Sequence, residues 1–401
     1  MRSPKRIIEI KNLEEAKAEL KAIGVDPAGI RIMAGKAVHR VIKIKGIRPI
    51  PANIIKQEML SRGGEVAVSY GTLNQSVSKT DILIFGTERQ ILELSEKLGE
   101  HQFGLPELGR KIKALLNCFE ENPKPIKVGR LKMDFGKRTY IMGILNVTPD
   151  SFSDAGKFMN FDEAVSHAKR MTDDGADIID IGGESTRPGA KAVSSSNEKK
   201  RVIPIIKKLS KDKDIVISID TTKADVAEEA LGAGAHMVND ISGLHFDKKI
   251  AKVIAKIGVP IVLMHIKGTP RTMQKNPVYK DLVGEILDYL EDGIEIAESS
   301  GINREKIIID PGIGFGKTAE HNLDIIRKLK EFRSLGRPVL IGTSRKAVIG
   351  KVLDLPVEER LEGTAATVAA SICNGADIVR VHDVPEMVRV VKMTDAIVRR
   401  K

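Results

Sequence analysis

Eight short apolar runs, each followed by an amphipathic stretch, constrain the fold of the last two thirds of this chain. The runs are Tyr140–Leu145, Ile178–Ile181, Ile215–Ile219, Met237–Asn239, Pro260–Met264, Ile307–Ile309, Val339–Ile341 and Ile378–Val381. Continuous apolar runs are typical of parallel strands buried on both faces. Eight strand–helix units in roughly 260 residues predict a closed α/β barrel, the (β/α)8 or TIM barrel. A doubly wound sheet is the alternative, but no strand leads into a Gly-x-Gly-x-x-Gly loop.

The stretch after the first run illustrates the predicted helices. Ala164, Val165, Ala168 and Met171 recur at the spacing of one helix face, which predicts that this face packs on the barrel. Asp162 precedes the stripe and is a candidate N-cap.

The chain before the first run has a different pattern and predicts a separate small α+β domain. Its predicted helices are Glu14–Ala22, Ala52–Ser61, Gln90–Leu98 and Leu108–Leu116, and its predicted strands are His39–Ile47, Glu65–Val68 and Ile82–Phe85. A charged, proline-containing stretch follows and is typical of a linker. We therefore predict an α+β domain over residues 1–120, a linker over 121–134 and the barrel over 135–401.

Composition excludes several classes of protein. The net charge is +11, but aromatic residues make up only 3% of the chain, and basic residues do not form the blocks interleaved with aromatics that nucleic-acid binding favours. No apolar run approaches the roughly 18 residues that a membrane-spanning helix needs. Cys118 and Cys373 are far apart and form no metal-binding or redox motif. We expect a cytoplasmic protein with small-molecule partners, neither nucleic acid nor membrane, and a basic surface or a phosphorylated ligand to account for the charge.

Polar residues stand at the end of every predicted strand. They are Asn146, Glu184–Gly189, Asp220, Asn239–Asp240, His265, Asp310–Gly312, Ser344–Lys346 and Arg380–Asp383. Taken singly, an Asp or Asn after a strand is often only the N-cap of the next helix. Taken together they predict an active site, because catalytic residues of such barrels lie at the carboxyl ends of the strands.

The first of these loops combines an amide with two acids. Asn146, Asp150 and Asp154 could bind a hard cation such as Mg²⁺, which prefers oxygen ligands. A capped turn is the simpler interpretation of the loop alone, since Asn, Pro, Asp and Ser are common turn formers.

The other strand-end residues divide by chemistry. Asp220, Asn239 and Asp310 can accept the N–H groups of an amino-pyrimidinone ring, and Lys346 can meet a ring carbonyl or nitrogen. Arg187, Arg380 and His382 suit an anion such as phosphate. For Arg380 the alternative is a salt bridge to Asp383 or Glu386; for His382 it is a hydrogen-bonded histidine at the entry of a helix.

Two further features lie near these ends. His265 is interpreted as a packing or capping residue rather than a catalytic one. The glycine-rich stretch Asp310–Lys317 lacks the spacing of a phosphate-binding P-loop. Its glycines are expected to let the backbone pass close to a flat ligand, with Phe315 against the ligand face.

These strand ends resemble those of dihydropteroate synthase, in the order of that family and over about residues 135–400. The matching segments are GILNVTPDSFSD at 143–154, DIGGESTRPG at 180–189, Ile219–Thr222, VNDISG at 238–243, Met264-His265, DPGIGFGK at 310–317 with Asn322, GTSRK at 342–346 and RVHD at 380–383. Residues 1–130 lie outside the core family and are similar to an extension of some archaeal and anaerobe relatives.

The resemblance implies a transferase that condenses 6-hydroxymethyl-dihydropterin diphosphate with an arylamine, p-aminobenzoate, and releases pyrophosphate in folate-type biosynthesis. It also implies a homodimer and a Mg²⁺ cofactor held with the diphosphate by Asn146. The diphosphate region would be lined by Thr186, Arg187, Arg380 and His382. The pterin edge would be held by Asp220, Asn239, Asp310 and Lys346, Phe315 would flank the arylamine, and Asp150 and Asp154 would order the metal and stabilise the methylene carbon.

One departure from the family motif leaves the arylamine open. The family often reads Ser-Arg-Lys-Ser, whose last serine helps to bind the p-aminobenzoate carboxylate, whereas this chain has Ala347. A ribosylated aniline of the methanopterin pathway, which lacks that carboxylate, is an alternative substrate. A methyl-tetrahydropterin methyltransferase and a non-catalytic pterin-binding regulator are competing interpretations of the same pterin pocket.

Overall fold

The computed structural model describes residues 5–147, 161–185, 189–190 and 192–399. The chain divides into two compact units, residues 1–121 and residues 122–401. Among the described residues, no helix has the length and apolar character needed to cross a membrane.

The first unit is a small α+β structure, as predicted. Its elements are α1 (Leu13–Ala22), α2 (Pro27–Ala37), β1 (His39–Ile47), α3 (Pro49–Leu60), β2 (Glu65–Ala67), β3 (Thr80–Thr87), α4 (Glu88–Lys97) and α5 (Leu105–Glu120). The strands form an antiparallel sheet in the order β1-β3-β2. Alternate residues of β3, such as Ile82 and Ile84, are buried, and they join the core that includes Ile55 of α3 and Leu94 of α4. Helix α2 was not predicted, although Asp26 caps it and Pro27 opens it.

The second unit begins with a β-hairpin rather than with a plain linker. Strands β4 (Ile126–Val128) and β5 (Leu131–Met133) pair antiparallel within the residues predicted as a linker. Their buried side chains Ile126, Val128 and Met133 belong to one apolar cluster with residues at the start of the barrel strands. The hairpin therefore covers the amino-terminal end of the barrel.

Eight parallel strands close into the predicted (β/α)8 barrel. They are β6 (Tyr140–Asn146), β7 (Ile178–Gly182), β8 (Ile217–Asp220), β9 (Met237–Asp240), β10 (Ile261–Met264), β11 (Ile307–Asp310), β12 (Leu340–Ile341) and β13 (Ile378–Val381). Neighbours in the sheet run from β11 down to β6 and then to β13 and β12. A parallel bridge between Ile309 and Val339 joins the two ends of the sheet and closes the ring.

Helices surround the strands. They are α6 (Phe161–Asp173), α7 (Ser195–Leu209), α8 (Ala224–Gly232), α9 (Lys249–Ile257), α10 (Leu282–Ser299), α11 (Ala319–Arg327), α12 (Ala347–Leu353), α13 (Leu361–Cys373) and α14 (Val384–Val398). The predicted stripe of α6 is buried at all four positions. Asp162, however, lies inside the first turn of α6, so its prediction as the N-cap was wrong.

The interior of the barrel changes from apolar to polar along the strands. Ile178, Met237, Ile308 and Ile378 lie in the apolar cluster above the hairpin. Alternate residues of a strand point to the same face, so the residues two positions further on, Asp180, Asn239, Asp310 and Arg380, also point inward. This alternation places a charged layer directly above the apolar one, toward the carboxyl ends of the strands.

Candidate active site

Arg380 of β13 lies at the centre of the charged layer. Its Nε donates to Asp180 Oδ2 at 2.7 Å, and its guanidinium donates a second bond to Asp220 Oδ2 at 2.9 Å. The alternative pairing of Arg380 with Asp383 is not formed, because Asp383 binds Arg345 instead. Burial raises the pKa of Asp220 to about 7, although Arg380 opposes this shift.

Asp180 is a functional candidate that the sequence analysis missed. It is fully buried in β7, and its Oδ2 accepts both Arg380 Nε and Asn239 Nδ2, the latter at 2.9 Å. A buried carboxylate needs charged or N–H partners, and Asp180 thereby fixes two predicted site residues at once. The signal in the sequence was a single charged residue in an otherwise apolar run.

Asp310 and Lys346 lie on the other side of the same layer. Asp310 of β11 accepts the Gly312 N–H at 2.7 Å, and burial raises its pKa to about 6. Burial lowers the pKa of Lys346 to about 8, with Arg380 acting in the same direction and Asp310 and Asp220 opposing it. The charges of Arg380, Asp310 and Asp220, on three different strands, therefore all act on Lys346.

Phe315 lies against Lys346, with the Lys346 ammonium 4.3 Å from the centre of the Phe315 ring. This is a cation–π contact. Phe315 is nearly buried, and the two glycines beside it, Gly314 and Gly316, have left-handed backbone conformations with φ of +85° and +68°. The glycine-rich stretch therefore brings its backbone close to Lys346.

His382 is held by Ser344, in the turn that follows β12. Its Nδ1 lies 3.0 Å from Ser344 Oγ, and its backbone N–H donates to the same hydroxyl at 3.2 Å. Burial, together with Arg380 and Arg345, lowers the pKa of His382 to about 3. His382 is therefore neutral near pH 7 and can meet an anion as a hydrogen-bond donor rather than as a cation.

Asn146 ends β6 beside this layer. An added Cβ at Gly182 would lie 3.6 Å from both Asn146 Oδ1 and Asp220 Cβ. Asn146 and Asp220 therefore lie close together, on either side of Gly182. The other residues predicted for the metal and diphosphate, Asp150, Asp154, Thr186 and Arg187, lie outside the described residues.

The described residues offer no ready-made metal cage: within them, no group of three or more His, Cys, Asp or Glu side chains could hold a metal ion. Magnesium, however, usually binds through one or two protein oxygens and the phosphates of a substrate. The Asn146 amide oxygen would be one such ligand, so the residues present fit a magnesium ion that arrives with a diphosphate.

A second, partly buried cluster of charged side chains includes Glu184, just after β7. Lys223 pairs with both Glu184 and Glu198, and Glu184 Oε1 accepts the Val193 N–H at 3.0 Å. Glu198 is almost wholly buried in α7. The sequence analysis missed this cluster because its three side chains come from separate segments.

Known proteins identify the family of this architecture. The family model "Pterin binding enzyme" matches residues 142–382. The chain therefore belongs to the pterin binding enzyme family.

The individual relatives with high sequence identity are dihydropteroate synthases. The dihydropteroate synthase of Clostridium beijerinckii is 55% identical over 276 residues, which cover 69% of this chain and 100% of that protein. A crystal structure of the Clostridium difficile dihydropteroate synthase in the presence of pteroic acid is 56% identical, with a TM-score of 0.63, and the match covers 67% of this chain and 99% of that one. These matches confirm the resemblance to dihydropteroate synthase and the expectation of a transferase of that type.

One relative also matches the first unit. A probable bifunctional folylpolyglutamate synthase/dihydropteroate synthase of Halobacterium salinarum is 42% identical over 388 residues, which cover 97% of this chain and 46% of that protein. The α+β unit is therefore shared with a relative beyond the barrel, as the sequence analysis expected.

Proposed function

We propose that this chain condenses 6-hydroxymethyl-dihydropterin diphosphate with p-aminobenzoate to form dihydropteroate and pyrophosphate. The amine nitrogen forms a bond to the pterin methylene carbon, the bond from that carbon to the diphosphate oxygen breaks, and the amine loses a proton. The observation that carries the proposal is the convergence of Asp220, Asn239, Asp310, Lys346 and Arg380 in one polar layer above an apolar floor.

In this proposal the acceptor groups orient the ring. The carboxylates of Asp220 and Asp310 and the amide of Asn239 face the N–H groups of the pterin, and Lys346 faces its carbonyl or ring nitrogen. Holding the methylene carbon in line with the incoming amine supplies much of the rate enhancement. The arylamine is a neutral nucleophile, so the residues need not include a strong base.

The departing diphosphate needs positive charge near it. We assign this charge to Arg187 and Arg380, with His382 and Thr186 as hydrogen-bond donors to the same anion. We assign Asn146, Asp150 and Asp154 to the magnesium ion. When bound, magnesium would neutralise negative charge on the leaving group. Arg380 would then exchange one of its carboxylate partners for the anion.

Product analysis tests the proposal. The chain is incubated with the dihydropterin diphosphate, Mg²⁺ and either p-aminobenzoate or a ribosylated aniline, and pterin products are identified by mass while pyrophosphate is measured. We expect dihydropteroate and one pyrophosphate per product. Transfer of a methyl group without pyrophosphate release would support the methyltransferase interpretation, and binding without any product would support a regulator.

Two further proposals accompany the function, a homodimer and a cytoplasmic location. Cys118 and Cys373 are free thiols in this structure, which agrees with a reducing compartment. Light scattering during gel filtration tests the dimer; a monomer mass would contradict it.

The pKa values of Asp220 and Lys346 predict a narrow pH optimum. Below about 7, Asp220 takes up a proton and loses its acceptor role, and above about 8, Lys346 loses its charge. The ratio kcat/KM for the dihydropterin substrate is therefore expected to rise through pH 7 and fall through pH 8. Asp220→Asn should flatten the acid limb of whatever activity remains. If the acid limb of kcat/KM is unchanged in Asp220→Asn, a group other than Asp220 causes it.

Ala347 predicts a weak site for the arylamine carboxylate. It is the first residue of α12, and Lys346, its N-cap, makes no side-chain cap hydrogen bond. Ala347→Ser adds a hydroxyl donor at this helix start, and a bond to a charged group is expected to raise kcat/KM for p-aminobenzoate by about tenfold. Aniline, which lacks the carboxylate, is the control substrate and should show no gain. If the preference for p-aminobenzoate over aniline does not change in Ala347→Ser, the arylamine carboxylate does not bind at the start of α12.

A further inference from the structure

Lys317, at the end of the glycine-rich stretch, carries a buried amino group to which the proposed function gives no part. Only 2% of its surface is exposed. Its Nζ lies 2.7 Å from His265 Nδ1 and donates to the Phe315 carbonyl at 3.0 Å. Burial lowers the pKa of Lys317, with Asp310 opposing this shift. A buried amino group is costly unless its donors are paired, so these contacts are a built feature of the mouth of the barrel.

His265 gives Lys317 a fixed partner. Its backbone N–H donates to the Asp310 carbonyl at 2.9 Å, which holds it beside the end of β11. Burial, with Lys317 next to it, lowers the pKa of His265 to about 2. The ring is therefore neutral, and in the tautomer with the proton on Nε2 its Nδ1 accepts from Lys317 Nζ.

The backbone around Phe315 is held on both sides. Gly314 donates its N–H to Asn322 Oδ1 and accepts from Gln274 Nε2, each at 2.8 Å. The Gly316 carbonyl accepts from the Tyr279 hydroxyl at 2.7 Å. The carbonyl between them, that of Phe315, is the one that Lys317 binds.

This stretch in turn supports Lys346. The Phe315 ring lies under the Lys346 ammonium, and an added Cβ at Gly314 would lie 3.3 Å from Lys346 Cδ. Both the stem and the Nζ of Lys346 therefore rest on atoms of Gly314 and Phe315, next to the carbonyl that Lys317 binds.

We propose that Lys317 is a positioning residue: held by His265, its Nζ fixes the Phe315 carbonyl so that the Phe315 ring keeps Lys346 at the pterin-binding edge. The inference rests on the proposed function, because it gives Lys317 a role in recognising the pterin ring. The proposal also gives Phe315 a second role: it helps to bind the pterin ring by holding Lys346, in addition to its contact with the arylamine.

Calorimetric titration with 6-hydroxymethylpterin tests the proposal, because this probe carries neither diphosphate nor arylamine. In the full chain, Lys317→Met and Phe315→Leu are each expected to raise the Kd by about tenfold, the scale of one buried cation–π contact. Lys306→Met is the matched control. Lys306 also binds a backbone carbonyl, that of Gly258, but it does so before β11 at the opposite end of the barrel, so the Kd should stay at the wild-type value.

A double-mutant cycle separates positioning from general loosening of the fold. If Lys317 acts through Lys346, then Lys317→Met should add little to the loss already caused by Lys346→Met. Additive losses, or wild-type affinity in Phe315→Leu, would overturn the positioning role of Lys317 but leave the proposed function standing. Phe315→Leu gives this answer even if Lys317→Met does not fold. A wild-type chain that binds no pterin would overturn the proposed function as well.

Discussion

Replacing Arg380 with methionine is expected to abolish synthase turnover and to lower the free energy of unfolding by about 3–5 kcal/mol, the cost of breaking a buried ion pair by removing one partner. Arg380 pairs with Asp180, which is fully buried, and with Asp220. Without the guanidinium, the neighbouring carboxylates of Asp180 and Asp220 would lose the cation that binds both of them. The measurements are urea denaturation and formation of dihydropteroate.

Second-site changes separate the two effects of Arg380. Adding Asp180→Asn to Arg380→Met removes the uncompensated charge and is expected to restore part of the stability but none of the turnover. Arg345→Met is the control for stability: its partner is Asp383, and the Arg345 side chain is 39% exposed. Such a pair contributes about 1 kcal/mol or less. Full turnover in Arg380→Met would contradict the assignment of this residue to the site.

Replacing Asp310 with alanine is expected to reduce kcat/KM by about a hundredfold, which corresponds to roughly 3 kcal/mol. Asp310 binds the Gly312 N–H and is the carboxylate that opposes the loss of protons from both Lys317 and Lys346. Its removal should lower the pKa of both lysines further. The alkaline limb of kcat/KM should therefore move to lower pH, which pH-dependent steady-state kinetics would detect.

Asp310→Asn is the matched variant. Its amide oxygen can still accept the Gly312 N–H, but its charge is lost. We expect a thermal midpoint closer to that of wild type than in Asp310→Ala, together with a similar loss of kcat/KM. If Asp310→Asn retained wild-type kinetics, the negative charge would be irrelevant and the hydrogen bond would be the function of this residue.

The barrel could be predicted from sequence because its strands are buried on both faces. All eight predicted runs coincide with observed strands to within two residues at either end. The hairpin β4–β5 was missed for the opposite reason. Its strands have three residues each, and exposed Lys127 and Lys132 interrupt the apolar pattern, so too few positions remain to establish a period of two.

The site was predictable in its residue types but not in its pairings. Strand ends indicated Asp220, Asn239, Asp310, Lys346 and Arg380, because function gathers at the carboxyl ends of barrel strands. The partner of Arg380 was sought among nearby residues, yet the closed ring brings it to Asp180 and Asp220 from distant strands. Lys317 and His265 could not be paired from sequence, because their contact depends on the path of two loops.

The ion pair between β7 and β13 also bears on how the molecule is made. Asp180 and Arg380 are separated by 200 positions, so a nascent chain must hold Asp180 and Asp220 without their cation until β13 has left the ribosome. Contacts between such distant positions form late and slowly. The cation that binds both acids thus arrives with β13. A chain that stops before β13 would carry Asp180 and Asp220 without this partner, and their charges would oppose collapse into a compact, aggregation-prone state.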